Sequence, residues 1–239
     1  MHQRPIYRMF ETSVRRVCDV TPHMRRVTLH GADLSNFHSD LPGQWVKLFF
    51  DESGAGRAFT IRHWRPELWE IDIDFARHEH DQGLASTWSA QATTGLPVRL
   101  AGPRSNFRHA PGRRLCLFGD ETALPAISAI VESLPASERA VVAVEINEST
   151  ARQQVGTAAQ VEWSWIFADR VVPGKQLNRH AREAVVELEN DQIWIGCECS
   201  AMREMRYAFG RAGFDKKWLH ASGYWMQGAV EHVDADSDY

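Results

Sequence analysis

Apolar and polar residues alternate in short runs over the first half of the chain. Val14–Val20, Met24–His30, Gly43–Phe50, Arg57–Arg62, Leu68–Ala76 and Val98–Ala101 each read as strands. Turn residues, such as the run Asp51-Glu52-Ser53-Gly54-Ala55-Gly56, separate them. Many short strands at close spacing predict an antiparallel barrel. A single helix, about Gly83–Ala92, interrupts them and ends before Gly95-Leu96-Pro97. The rhythm then changes. Strand-like Leu115–Phe118, Ala140–Ile146, Val161–Phe167, Gln192–Cys197 and Trp218–Trp225 alternate with helical Thr122–Leu134, Leu177–Leu188 and Ser200–Arg211. Strand–helix alternation predicts a parallel sheet with crossovers. The turn-rich stretch His109–Arg114 marks the boundary, giving a barrel domain over 1–110 and an α/β domain over 111–239.

The 239 residues, 44% hydrophobic and 24% charged, suit two compact domains with a sizeable core. A net charge of -4 gives no bulk attraction for nucleic acid or an anionic membrane, so basic sites must be local. No apolar run is long enough to span a bilayer, and no apolar segment follows the early charge as in a signal peptide. The four cysteines, Cys18, Cys116, Cys197 and Cys199, show neither zinc spacing nor a disulfide framework. A cytoplasmic, reduced protein with structural thiols is expected.

Four segments carry candidate chemistry. In Arg57-Ala58-Phe59-Thr60-Ile61-Arg62, alternation puts Arg57, Phe59 and Ile61 on one face and Ala58, Thr60 and Arg62 on the other. An aromatic there suits a flat ring, and an arginine fork suits a pyrophosphate. The same hexapeptide also reads as a plain strand with two solvated arginines. In Ile71–His80, Asp72 and Asp74 share a face, and His78 and His80 share one if the strand continues. The histidines read as a phosphate contact or a solvent-facing turn; no third ligand at a telling distance supports a metal. Gly83–Trp88 opens a helix whose free N–H groups, with Ser86 and Thr87, favour an anion. Gly119–Ala126 follows the first strand of the α/β half, where ligands gather at carboxyl ends of strands. No G-x-G-x-x-G occurs, which disfavours an ordinary Rossmann dehydrogenase.

Taken together, these segments resemble the siderophore-interacting protein family, flavin-dependent ferric-siderophore reductases of the ferredoxin-reductase-like group. The likeness runs through Met24–Leu29 with Gly31 and Leu34, Trp45–Leu48, Arg57–Arg62, Asp72–Phe75 with His78, and Gly83–Trp88. It continues through Gly102-Pro103-Arg104, Gly119–Ala126, Gly223-Tyr224-Trp225 and Gly228. The resemblance implies a Greek-key FAD-binding barrel followed by an NAD(P)H-binding-like α/β domain, with chemistry in the cleft between them. Arg57, Ala58, Phe59, Thr60 and Arg62 would line the flavin. Asp74, Phe75, His78, Ala85, Ser86 and Thr87 would hold its ribityl chain and pyrophosphate. Thr122 and Ala123 would approach from the α/β side, and Lys47 and Arg203 would attract an anionic ferric siderophore.

Departures are Leu84, where proline is common in the family, Glu79, where glycine is common, and Met226-Gln227, where arginine is common. The last removes positive charge and points to a less anionic siderophore or to weaker binding. The expected donor is NADPH or NADH, with ferredoxin as the alternative. Glu145 and Asn147 are candidates for a nicotinamide cofactor's ribose, and Arg152 for a 2′-phosphate. No general acid–base residue and no resident metal are expected, and the molecule is expected to be a monomer. A non-catalytic ferric-chelate binder and a general flavin or quinone reductase are the competing readings.

Overall fold

The computed structural model describes residues 8–51, 54, 56–77, 83–105, 107–169 and 171–229. The chain divides into two compact units, Met1–Ser105 and Asn106–Tyr239.

The first unit is a closed antiparallel barrel of six strands. These are β1 (Met9–Thr21), β2 (Met24–His30), β3 (Trp45–Phe49), β4 (Gly56–Arg65), β5 (Glu70–Ala76) and β6 (Pro97–Arg104). Their order is β1-β2-β5-β4-β3-β6. Strands β3, β4 and β5 form consecutive hairpins and β6 returns beside β3, which is the Greek-key path. The first strand is longer than its apolar pattern predicts because it serves two partners. Met9–Ser13 pair with β6, and Ser13–Thr21 pair with β2. Alternation sends Leu29, Val46, Leu48, Ile71, Ile73 and Leu100 into the interior, all fully buried. Helix α1 (Leu84–Gln91) lies between β5 and β6 in the chain.

Where β2 ends, Gly31 runs against the edge of β1. A Cβ there would drive into the backbone carbonyl oxygen of Glu11 and stand 3.2 Å from Thr12 Cα. Backbone cannot swing aside as a side chain can. Gly31→Ala is therefore expected to cost about 1–3 kcal/mol of stability, read as a lower urea midpoint at unchanged slope.

The second unit holds a parallel sheet ordered β11-β10-β7-β8-β9. Its strands are β7 (Arg114–Asp120), β8 (Arg139–Ile146), β9 (Gln160–Phe167), β10 (Asp191–Glu198) and β11 (Leu219–Trp225). Its helices are α2 (Leu124–Ser133), α3 (Lys175–Glu183) and α4 (Cys199–Arg211). The chain adds β8 and β9 on one side of β7, then crosses to add β10 and β11 on the other. The order reverses between β7 and β10, so the switch-point crevice of an open α/β sheet opens at their carboxyl ends.

The predicted helix Thr122–Leu134 begins as a 3-10 turn, Glu121–Ala123, before α2. Pro125 sits in the first turn of α2, where its missing N–H costs nothing. Helix α3 starts earlier and stops sooner than the predicted Leu177–Leu188. Gly174, left-handed at φ 74°, turns the chain into the helix, and Glu145 caps the N–H groups there. At the other end the chain leaves the helix at Ala184, and Glu187 turns to bond the Asp191 carboxylate. Cys116, Cys197 and Cys199 are buried free thiols, and burial pushes Cys116 up to about 12.

Candidate functional site

In the barrel, neighbouring strands β4 and β5 carry most of the predicted ligand residues. Phe59 packs on Phe75, ring centres 4.5 Å apart and tilted by 43°. Phe75 in turn meets Trp88 of α1 at 5.8 Å, and Trp88 meets Phe50 at 5.1 Å. Sequence reasoning missed Phe50 and the packing role of Trp88, although both lie in apolar runs. Thr60 is buried and pairs across to Trp45, while Ala58 is exposed beside Lys47 of β3. The Lys47 ammonium stands 5.4 Å from the ring centre of Phe49.

The predicted alternation along β4 holds to Ile61 and then breaks. Ile61 pairs with Ile73, but His63 pairs with Asp72, so Arg62 is the extra residue of a β-bulge. The bulge re-aims the Arg62 side chain, which is 7% exposed rather than solvated. Its Nε stands 3.9 Å from Asp74 Oδ2, and its NH1 group donates to His63 Nε2 at 2.8 Å.

Asp74, near this arginine, and Asp72, bonded to its neighbour His63, are built into the barrel wall. Asp74 accepts both arms of Arg26 from β2, at 2.6 and 2.8 Å. Asp72, 2% exposed, accepts two bonds from Arg65 at 2.7 Å each, one from the Thr28 hydroxyl at 2.7 Å, and a contact from His63 Nδ1 at 3.2 Å. Burial pushes the Asp72 carboxyl up, but the bonds from Arg65, His63 and Thr28 outweigh it and hold it well below the usual carboxylate range. Acids at every second position of a buried strand were the one sequence signal that cations must face them.

Ala85, Ser86 and Thr87 form the first turn of α1. Among the described residues no side chain caps that turn, and it holds no acidic residue. A buried guanidinium, a helix start with two hydroxyls and no side-chain cap among the described residues, and a cluster of four aromatic rings are the kinds of donor and wall that suit a flavin dinucleotide. The barrel residues present therefore fit FAD. His78, with Glu79 and His80 beside it, lies outside the described residues.

In the α/β unit the switch point is lined with acid. Asp120 ends β7 and caps the following turn, accepting from Thr122 N at 2.9 Å and Thr122 Oγ1 at 2.5 Å. Its other oxygen accepts from Glu198 N at 3.0 Å and Trp225 Nε1 at 2.8 Å, tying together the ends of β7, β10 and β11. Ala123 is buried within the same turn and Thr122 is partly exposed. Glu198 caps α4 through Ser200 N at 2.6 Å and Ala201 N at 3.1 Å.

Glu145, 4% exposed, takes N–H bonds from Gly174, Gln176 and Leu177 at the start of α3. Burial pushes its carboxyl up, and those bonds offset this only in part. Both Glu145 oxygens are thus committed to backbone, so the expected ribose contact is corrected: this residue is a helix cap. Arg152 stands over the Phe167 ring, 5.9 Å from its centre. Arg203 is exposed on α4.

Comparison with known proteins matches this architecture. The model of the siderophore-interacting protein family matches residues 112–228. That of the siderophore-interacting FAD-binding domain matches 13–57 and 51–107. The chain is 27% identical to ferric vibriobactin reductase ViuB of Vibrio cholerae, over 92% of this chain and 93% of that protein. It is 26% identical to the NADPH-dependent ferric-chelate reductase of Escherichia coli, over 91% and 93%. Its fold superposes on the crystal structure of the siderophore-interacting protein SipS from Aeromonas hydrophila with a TM-score of 0.84 at 28% identity, covering 94% of each chain. With both halves matched by the two family models, and the barrel fitted to a flavin dinucleotide, this chain belongs to the siderophore-interacting protein family.

Proposed function

We propose that the chain is a flavin-dependent ferric-siderophore reductase, working as a monomer in the cytoplasm on iron brought in as its chelate. The observation that carries this is the barrel's own set of groups: a bulge-directed, buried Arg62, a helix start with no side-chain cap among the described residues, and an aromatic cluster. The family match and the reductase names of the Vibrio and Escherichia relatives support it. Bound FAD supplies the change from two-electron to one-electron transfer that links a hydride donor to iron. Ferric iron is hard and held by oxygen donors, and ferrous iron is bound more weakly by them, so reduction releases the metal.

The protein's own work is positioning. Arg57, Arg62 and the first turn of α1, with Ala85, Ser86 and Thr87, hold phosphate and ribityl oxygens. Phe59 and Thr60 lie nearest the ring system, with Ala58 on the same strand and the buried Phe75 packed on Phe59. Asp74 acts on Arg62 and Arg26. Thr122 and Ala123 are held in the turn after β7 by the Asp120 cap. No side chain is required as acid or base.

Lys47 and Arg203 attract the chelate. Lys47→Ala is expected to raise KM for an anionic ferric chelate about fivefold while kcat holds, and the difference should shrink at high salt. Equal KM at low salt would remove Lys47 from the substrate site.

NAD(P)H is the proposed donor, as the name of the Escherichia relative suggests. One observation favours ferredoxin as a second reading. Glu145 and Glu198 already occupy the starts of α3 and α4 that would otherwise receive a dinucleotide pyrophosphate. An anaerobic assay decides it: bleaching of the bound flavin by NADPH, NADH or reduced ferredoxin, followed by a ferrous trap with catecholate, hydroxamate and citrate chelates. A donor that fails to bleach the flavin is excluded. Chelate binding without ferrous iron would leave only a binding protein, and brisk quinone turnover without iron release a general reductase.

A further inference from the structure

Between the buried arginine and the barrel wall stands a histidine that the cofactor reading does not use. Arg62 NH1 lies 2.8 Å from His63 Nε2. A guanidinium only donates, so Nε2 must be the acceptor and carry no proton. The single ring proton of a neutral imidazole then sits on Nδ1, 3.2 Å from Asp72 Oδ2, an oxygen that only accepts. Both neighbours select the same tautomer. Asp72 is itself immobile, clamped by Arg65 and Thr28. Arg62 therefore stands 3.9 Å from the buried Asp74 carboxylate and is linked through the imidazole to the buried Asp72.

We propose that His63 is a positioning residue for the cofactor: in its neutral Nδ1–H form, braced by Asp72, it fixes the Arg62 guanidinium for the FAD phosphates, and its protonation releases that hold. The inference rests on the reading that Arg62 binds FAD. A proton added at Nε2 would turn the acceptor into a donor aimed at a cation. Arg62 would lose a bond and gain a like charge.

Among the described residues, the charged groups around the ring come from three strands. From β4 there are Arg62 and Arg65, which disfavour the imidazolium. From β5 there are Asp72, in direct contact, with Asp74 and Glu70 beyond it on either side. From β2, Arg26 neutralises Asp74, and His30 pairs in register with Glu70. The His63 side chain is 36% exposed, so solvent protons reach it. Asp72 is satisfied by Arg65 and Thr28 whichever form the ring takes, so loss of the Nε2 acceptor falls on Arg62.

The test is FAD binding to full-length apoprotein by fluorescence quenching, from about pH 5 to about pH 8, across the ordinary histidine range. Wild type is expected to bind about tenfold more weakly at the acid end. His63→Leu should lose about tenfold at pH 8 and show little further change on acidification. His63→Gln should recover affinity and stay flat with pH, because its carbonyl can accept from Arg62 while its amide donates to Asp72. A purely structural role would not give a conservative rescue together with a lost pH response.

Wild-type affinity and wild-type pH slope in His63→Leu would overturn the inference, as would a wild type flat over the range. These results are separable from failure of the cofactor reading itself, in which wild-type apoprotein takes up no FAD at any pH. Unchanged FAD affinity in Arg62→Ala would instead displace Arg62 from the phosphates.

Discussion

Asp72→Ala is expected to lower the unfolding free energy by about 3 kcal/mol, the lower end of what removing one partner of a buried ion pair costs. The carboxylate is almost fully buried and serves Arg65, Thr28 and His63 at once. Alanine would strand a guanidinium, a hydroxyl and an imidazole in the barrel wall. The loss stays at the lower end because Arg65 keeps a quarter of its surface in water and its bond to Glu70.

The pH dependence follows from the depressed carboxyl. Its folded pKa lies below the unfolded value of about 3.9, so its contribution is complete above that value and is lost as pH falls toward the folded one. The gap between wild type and Asp72→Ala should therefore be full at pH 7 and shrink below about pH 4. Urea unfolding at both pH values measures it. A gap under about 1 kcal/mol at pH 7, or one that widens in acid, would mean that Asp72 does not brace the barrel.

The second large effect concerns the cofactor. Arg62→Ala is expected to weaken FAD binding about 10- to 100-fold, the range for losing charge-assisted hydrogen bonds to phosphate. The fold should survive, since Asp74 keeps both bonds from Arg26. Arg62→Lys should fall between the two, because an ammonium carries the charge without the planar fork. Equilibrium titration at pH 8 reads both variants, with thermal melts of the apoproteins as the control for folding.

The strand and helix plan was legible in the sequence wherever a local pattern decides it. Strand β2 runs over the residues its alternation predicts, Met24–His30, and the change to strand–helix rhythm after Gly112 is the change to a parallel sheet. What could not be read is whatever depends on pairing between distant segments. The bulge at Arg62 exists only in the register of β4 against β5, and no local pattern of Ile61-Arg62-His63 announces it. Alternation alone would have left Arg62 on a face with Thr60.

The ends of α3 show the same limit. Its start is set by a carboxylate 29 to 32 residues earlier, on β8, and no helix propensity of Lys175–Leu177 contains that information. The acid that caps it was expected at a ribose because its strand position suited one. Asp120 and Trp225, 105 residues apart, meet only once the sheet has formed. The site followed the same rule. The candidate residues on β4, β5 and α1 were named from motifs, while the bonds around Arg62 and Asp74, from Arg26 on β2 and from His63 braced by Asp72, depend on how β2, β4 and β5 pair.

The most direct measurement of the central claim is a single anaerobic turnover. Protein purified with its flavin is reduced, freed of excess donor, and mixed with a ferric siderophore in the presence of a ferrous trap. The yellow absorbance is expected to return as iron is trapped, at about two ferrous ions per flavin, because a two-electron carrier meets a one-electron acceptor. Protein that takes up no flavin, or reduced flavin that persists while the chelate stays ferric, would contradict it.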